Sequence, residues 1–491
     1  MPRPLRLLGL ALLVALDAAP LAYAQDAAAP DPETITFDEA VRLALDRSVG
    51  LRQAEVAAEA RALDVRRQRG LLLPSVSGSV TPVRRFGLAF NQTTGELNNE
   101  TSDQLDLGLR GNLNLFNGFA DVARVDEARR RADAERLDLD RSRQDVLFDV
   151  ASAYLQLLLD RELVGIQEEN LAAEAEQLSR VEALVEGGSR PRSDVFGQRA
   201  AVAERRLAVL QAENAVQLSE SRLVQLLQLD PFGTYTFAAP SAADLPVSDE
   251  TYAANALLTE ALDARDDLAA QQLRIDAADA AVRAATAGYY PTVDLFASYG
   301  TAYSSLARRA IPGSQQAIPV TTAGGEQILV DGQPFQIFAG GDIEDVQFVD
   351  QLSDNRGGAF GLSIAIPIFD RFVTRSQVQQ AKLERENARL QLDLLRQQVA
   401  ADVRQAVLDY ENARARLGVT ASQIDAAEAA LDAEQLRYDL GASTLVELAQ
   451  ARARLVEAQS ARAQALFEFF FRARLIDYAR GRLDPSQPLF D

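Results

Sequence analysis

The sequence predicts a mixed α/β membrane protein written twice, each copy running from a helix through a strand pair into a very long helical hairpin. Pro74 stands 217 positions before Pro291. The blocks Leu107-Gly108-Leu109 to Phe116-Asn117-Gly118-Phe119 and Phe360-Gly361-Leu362 to Phe369-Asp370-Arg371-Phe372 lie 253 apart, and that register holds to Gly188 and Gly441. After each block comes a Pro-free run, Ala120 to Glu186 and Val373 to Asp439. As helix, at 1.5 Å per residue, each run reaches roughly 100 Å, which no compact globular core requires.

The elements follow in order. Arg3, Arg6, the apolar stretch Leu7 to Leu16 and Ala22-Tyr23-Ala24 before Gln25 fit an export signal over 1–24, and the stretch is too short to cross a bilayer. The first repeat is expected over 25–230 and the second over 252–480, joined by a Pro- and Ala-rich linker at 231–251 and followed by a tail at 481–491. Each repeat opens on a helix, Phe37 to Leu73 and about Tyr252 to Ala287, rich in Ala, Leu and Gln with no interior Pro. Pro74 and Pro291 disfavour helical geometry in the residue before them and so end both.

Alternation then predicts strands near 75–90 and 103–116, where Val76, Gly78 and Val80 interleave with Ser77, Ser79 and Thr81. Val293, Leu295, Ala297 and Tyr299, then Phe360, Leu362 and Ile364, repeat the pattern near 292–306 and 355–369. Four strands with one apolar face cannot close a barrel, so the edges call for strands from further chains. The second connection is 36 residues longer than the first and rich in Gly and acids, as in Gly324-Gly325 and Asp342. Insertions collect where chain meets solvent, which places it outside the membrane, with room for a short hairpin.

The long helices carry apolar residues at 3-4 spacing: Leu147, Val150, Tyr154, Leu157 and Val164, then Ala400, Val403, Val407, Tyr410 and Leu417. Arg161 and Arg414 interrupt the stripe at matching positions. Abundant Ala on the flanks lets helices approach on two sides, as a curved sheet of helices needs; a solitary coiled coil is the alternative. Glu186-Gly187-Gly188-Ser189 and Leu440-Gly441-Ala442-Ser443 turn each run back, giving helical hairpins over 120–229 and 373–480.

Composition narrows the chemistry. The chain has 71 acidic and 50 basic residues, a net charge of -21, and neither Cys nor His. That balance disfavours nucleic acid as a partner. Disulfides, lipidation on Cys, the usual zinc, copper, haem and iron–sulfur sites and Ser-His or Cys-His nucleophiles all lack their residues. No cofactor is expected, and no run of 18 apolar residues follows the leader. A carboxylate-only enzyme of the glycosidase kind would need two acids converging in a cleft, and the acids here are spread over helix faces.

The duplicated helix-Pro-strand junctions Leu73-Pro74 and Tyr290-Pro291, the strand-to-helix corners at Phe116-Asn117-Gly118 and Phe369-Asp370-Arg371, and the tip Tyr438-Asp439-Leu440-Gly441-Ala442-Ser443-Thr444-Leu445-Val446-Glu447-Leu448 together resemble the outer membrane efflux protein family, the TolC-type channels of Gram-negative bacteria, over about residues 35 to 480. The resemblance implies a homotrimer that pools twelve strands, four per chain, into one β-barrel in the outer membrane, continued by an α-helical barrel in the periplasm. It implies an outward aromatic belt from Tyr289, Tyr290, Phe296, Phe116, Phe369 and Phe372. The tips would dock a periplasmic adaptor through Gly188, Ser189, Gly441 and Ala442, though a plain helix C-cap also explains each glycine. Asp194 with Tyr438, and Ser193 with Ser443, fall on the family's entrance latches, with Ser443 standing where an Arg is expected. Glu447 and Gln450 fall on its entrance rings, where Glu447 also reads as a first-turn acid favoured by the helix dipole.

The function implied is a passive exit duct of a tripartite efflux or type I secretion system. An inner-membrane pump would drive small molecules or a polypeptide through it, with the surrounding outer-membrane lipid as its other partner. A structural periplasmic coiled-coil or adaptor protein is the alternative, and it predicts no membrane-embedded strands.

Overall fold

The computed structural model describes residues 33–91, 96–99, 101–238, 250–311, 313–339 and 341–483. The expected export signal, much of the linker and the end of the tail lie outside them. In chain order the elements are β1 (Glu33–Ile35), α1 (Phe37–Arg47), α2 (Val49–Gly70), β2 (Ser75–Arg85), β3 (Leu88–Asn91), β4 (Glu96–Asn99), β5 (Ser102–Phe116), α3 (Ala120–Glu186), α4 (Arg192–Leu226) and β6 (Tyr235–Phe237). Next come α5 (Ala254–Ala264), α6 (Asp266–Thr286), β7 (Thr292–Ser304), β8 (Arg308–Ala310), β9 (Gln316–Pro319), β10 (Leu329–Val330), β11 (Gln333–Pro334), β12 (Gln336–Ala339), β13 (Ile343–Asp345), α7 (Phe348–Asp354), β14 (Gly357–Ala365), α8 (Val373–Asp439) and α9 (Leu445–Ala479). The fold is mostly helical with some sheet.

The described residues divide into two compact units, one drawn from 33–46 and 150–238 and the other from 47–149 and 250–483. In the first, β1 and β6 pair in parallel, Glu33 opposite Tyr235. Tyr154 of α3 is buried beneath them, its ring edge-on to Phe37 and Phe237 and its hydroxyl donating to the carbonyls of Ala238 and Ile35. Burial pushes that phenol up to about 12, so it stays protonated as a donor. Arg161 is the polar break in the apolar stripe because its guanidinium donates to the Phe237 carbonyl (2.5 Å) and pairs with Glu220 of α4 at 2.8 Å.

The second unit solves the same problem with its own residues. The hydroxyl of buried Tyr410 on α8 donates to the Glu250 carbonyl at 3.0 Å, and Arg414 reaches that carbonyl at 3.4 Å. Two backbone segments lying across long helices are thus held by one Tyr and one Arg each, which satisfies carbonyls that packing removes from water.

Each opening helix is broken once, where a single helix reads from the sequence. α1 stops at Arg47 and α2 restarts behind Ser48, whose Oγ accepts from the Leu51 amide at 3.3 Å. α5 and α6 meet at Arg265, extended at φ -74 and ψ 122, which donates to Asp267 at 2.5 and 3.0 Å. The breaks stand at matching places in the repeat. Neither uses Pro or Gly, the usual punctuation.

The second unit carries one four-stranded antiparallel sheet in the order β14-β7-β5-β2. Its register sorts the side chains by face. Val76, Gly111, Ala297 and Phe360 share one row, and Val80, Leu107 and Thr301 another, while Leu113, Leu295 and Leu362 extend the same face. The opposite face has Ser77, Arg110, Ser298 and Ala359 in one row and Asn114, Asp294 and Ser363 in another, with Asn114 donating to Asp294 at 2.8 Å. One face is therefore apolar and the other polar. The apolar face stands exposed in the single chain, Val76 at 75% and Phe360 at 86%.

Phe296 corrects the expected aromatic belt. It lies in the row of Ser75, Asn112 and Gly361 on the polar face, its ring covering the place where a Gly361 side chain would stand. Phe116 is paired with Val293 across a bulge after Asn114 and falls on the apolar side. The longer connection between β7 and β14 holds the antiparallel pairs β8–β13, β9–β12 and β10–β11 and the short helix α7. The shorter one holds the β3–β4 hairpin.

Candidate functional site: the two hairpin tips

At the first tip the Gly188 amide donates to the Val185 carbonyl (3.0 Å) and the Ser189 amide to the Leu184 carbonyl (2.9 Å), with Gly188 at φ +76. At the second, Gly441 donates to Tyr438 (3.0 Å) and Ala442 to Arg437 (2.8 Å), again with φ +76 at the glycine. Both are Schellman turns, which need a left-handed residue just past the helix. No atom lies within 4 Å of a Cβ built on either glycine. The turn alone requires glycine, and open space beside it leaves the backbone approachable.

The helices that leave the tips start differently. Asp194 and Glu447 are both third residues, of α4 and α9. α9 begins at Thr444, whose side chain accepts from the Glu447 amide (3.3 Å) while Glu447 Oε2 accepts from the Thr444 amide (2.8 Å), a capping box. Ser443, buried at 6%, places its hydroxyl within reach of Glu434 and of Glu447 (3.0 Å), and Arg437 pairs with Glu434 at 2.9 Å. The Thr444 amide and hydroxyl and the Ser443 hydroxyl hold the Glu447 carboxyl below its usual range. α4 instead begins at Pro191, which offers no side-chain cap, and Asp194 accepts only a long bond from the Ser193 hydroxyl (3.4 Å). Asp194 is the less restrained acid of the two.

The sequence-derived site residues therefore fall into distinct settings. Tyr438 closes α8 in the second unit at 1% exposure, and Asp194 opens α4 in the first. Ser443 is engaged within its own tip, so the tip built without the expected Arg is tied by Glu434 and Arg437, which the sequence reading did not single out. Their signal was an i,i+3 acid–base pair and the Thr-x-x-Glu pattern at 444–447. Gln450 is exposed on α9. Across the first hairpin Gln198 donates to Glu174 at 2.9 Å and Arg199 pairs with Glu182 at 2.8 Å.

Thr444→Ala removes one half of the box and is expected to cost about 1 kcal/mol, read as faster amide exchange in the first turn of α9. The pH dependence has a definite sign. Because the folded Glu447 acid is stronger than the unfolded one, its cap is complete above the ordinary glutamate range and is lost as pH falls through its lowered value. Exchange protection at this turn should hold unchanged from pH 8 to about pH 5.

The outer membrane efflux protein family matches this chain over residues 40–228 and 257–467. The chain is 26% identical over 382 residues to the outer membrane efflux protein BepC of Brucella suis, covering 78% of this chain and 73% of that protein. It is 29% identical over 248 residues to the pyoverdine export outer membrane protein OpmQ of Pseudomonas putida, covering 48% of this chain and 50% of that one. The crystal structure of the outer membrane protein VceC from Vibrio cholerae superposes with a TM-score of 0.69 over 91% of this chain and 96% of that one, at 18% identity. Duplicated hairpins, their matched tips and the strand pairs between them agree with these likenesses: the chain belongs to the outer membrane efflux protein family.

Proposed function

We propose that three copies form the outer-membrane exit duct of a tripartite export system, pooling twelve strands into one barrel continued by a barrel of helices. The sheet carries this reading. It has one apolar face, one polar face and, among the described residues, two edges, β2 and β14, with no further strand beside them. In a bilayer unpaired edges cost several kcal/mol per orphaned backbone group, so closure by neighbouring copies is the available solution. The apolar side then faces lipid and the polar side water. A soluble coiled-coil protein would leave that apolar face without a partner.

The helices support the same assembly. Leu383, Leu390, Leu394, Leu408 and Val419 follow helical spacing along one side of α8 and are exposed in the single chain. Such a stripe fits against the helices of the next subunit. The duct needs no catalytic residue: an inner-membrane pump supplies the energy, and a periplasmic adaptor docks at Gly188, Ser189, Gly441 and Ala442. The names of the efflux and pyoverdine-export relatives favour small molecules as cargo over a polypeptide.

Opening is assigned to the less restrained acid, Asp194. Asp194 and Tyr438 form the working latch, with Ser193 beside it, while Ser443 and Glu447 are committed to holding the second tip rigid. The three Glu447 and three Gln450 side chains line the entrance, and the capped carboxylates retain their charge. Asp194→Ala is expected to raise single-channel conductance about twofold or more in planar bilayers, since a phenol–carboxylate bond is charge-assisted. Unchanged conductance would refute the latch, and a monomer by native mass measurement would refute the duct.

A further inference from the structure

The polar face of the sheet is striped by charge. Asp294 lies in the row of Asn114 and Ser363, Arg110 in the row of Ser77, Ser298 and Ala359, and Asp106 in the row of Thr81 and Ala302. Arg110 is four residues from the Asp106 row and four from the Asp294 row, roughly 13 Å each way along a strand. Arg110 is exposed and makes no ion pair among the described residues. Its flanking side chains are Ser, Ser and Ala, too short to shield it.

β5 is an inner strand, with β2 on one side and β7 on the other. Whatever closes the barrel joins at β2 and β14, so the surroundings of Arg110 within the wall are set by this chain. Resting on the proposed duct, we infer that Arg110 is a specificity-determining residue of the lumen: three guanidinium groups form a cationic ring that contacts anionic groups, carboxylate, sulfonate or phosphate, of solutes in transit. The carboxylate levels on either side isolate the ring. A guanidinium suits the task because its donors form a fork that matches such groups.

The test is the reversal potential of the reconstituted trimer in a potassium chloride gradient. Arg110→Gln should raise the cation-to-anion permeability ratio about twofold and Arg110→Glu further, with Arg110→Lys near the wild type. As the chain has no Cys, Arg110→Cys offers a unique thiol. A sulfonated, water-soluble thiosulfonate should modify it and shift selectivity the same way as Arg110→Glu. A conducting wild type whose variants all share its reversal potential overturns the ring and leaves the duct standing. Modification of Arg110→Cys only by a lipid-soluble maleimide would reverse the face assignment and overturn the ring. A wild type that passes no current overturns both readings.

Discussion

Gly118→Val is expected to prevent assembly: little or no heat-resistant oligomer in the outer membrane, and a loss of about 3 kcal/mol or more wherever folded protein can be measured. Two independent costs meet at this residue. Its φ is +67, a conformation that a β-branched residue adopts only with strain. A Cβ there would also stand 2.8 Å from the Ala287 carbonyl oxygen and 2.8 Å from Tyr290 Cβ, inside any real contact. Neither neighbour is the free end of a flexible chain. Ala287 ends the second opening helix, and Tyr290 precedes the proline that starts β7.

The second copy separates the two costs. There Arg371 takes the place of Gly118, at φ 57, and Phe372 follows at φ 67, as Phe119 follows at φ 65. A left-handed non-glycine residue is therefore tolerated at this corner of the second copy, so at Gly118 the close approach of Ala287 and Tyr290 is the larger cost. Each corner is closed by its own acceptor: Asn117 Oδ1 takes the Asp121 amide at 3.4 Å and Asp370 Oδ2 the Thr374 amide at 2.7 Å. Arg371→Gly should accordingly be mild, within about 1 kcal/mol. If Gly118→Val assembled as well as Arg371→Gly, the close packing of Gly118 against Ala287 and Tyr290 would not be limiting.

Element type was legible because its signals are local. The absence of Pro over Ala120–Glu186 and Val373–Asp439 specifies continuous helix, and the alternation at Val76-Ser77-Gly78-Ser79 specifies a two-sided strand. The tip glycines were legible for the same reason. Most of what escaped depends on groups far apart in sequence. The helix breaks are the exception: Ser48 caps α2 through the Leu51 amide and Arg265 holds Asp267, contacts three and two residues long that look like ordinary helix sequence. Phe296 was put in the outward belt by the family resemblance, whereas the register across β7, β5 and β14 puts it on the polar side, over a glycine that makes room for it. Arg161 and Arg414 interrupt a stripe for a reason that lies in the segments crossing above them.

Leu109→Arg sets the face assignment against its neighbour in a single pair of variants. Leu109 stands at the centre of β5, seven residues from either end, in the row of Gly78 and Tyr299 on the apolar face. In the proposed barrel this row would lie near the bilayer midplane, where an arginine costs about 2–4 kcal/mol per subunit. The cost recurs in every copy, so heat-resistant trimer should fall by more than tenfold. Arg110→Leu, one residue on, turns an apolar group into the lumen of the proposed barrel and should change stability by no more than about 0.5 kcal/mol. Successive side chains of a strand point to opposite faces, so opposite outcomes at adjacent positions are what a strand with one face in lipid and one in water predicts. Equal loss at both would mean that β5 is buried on its two sides, and an unaffected Leu109→Arg would mean that its apolar face meets water.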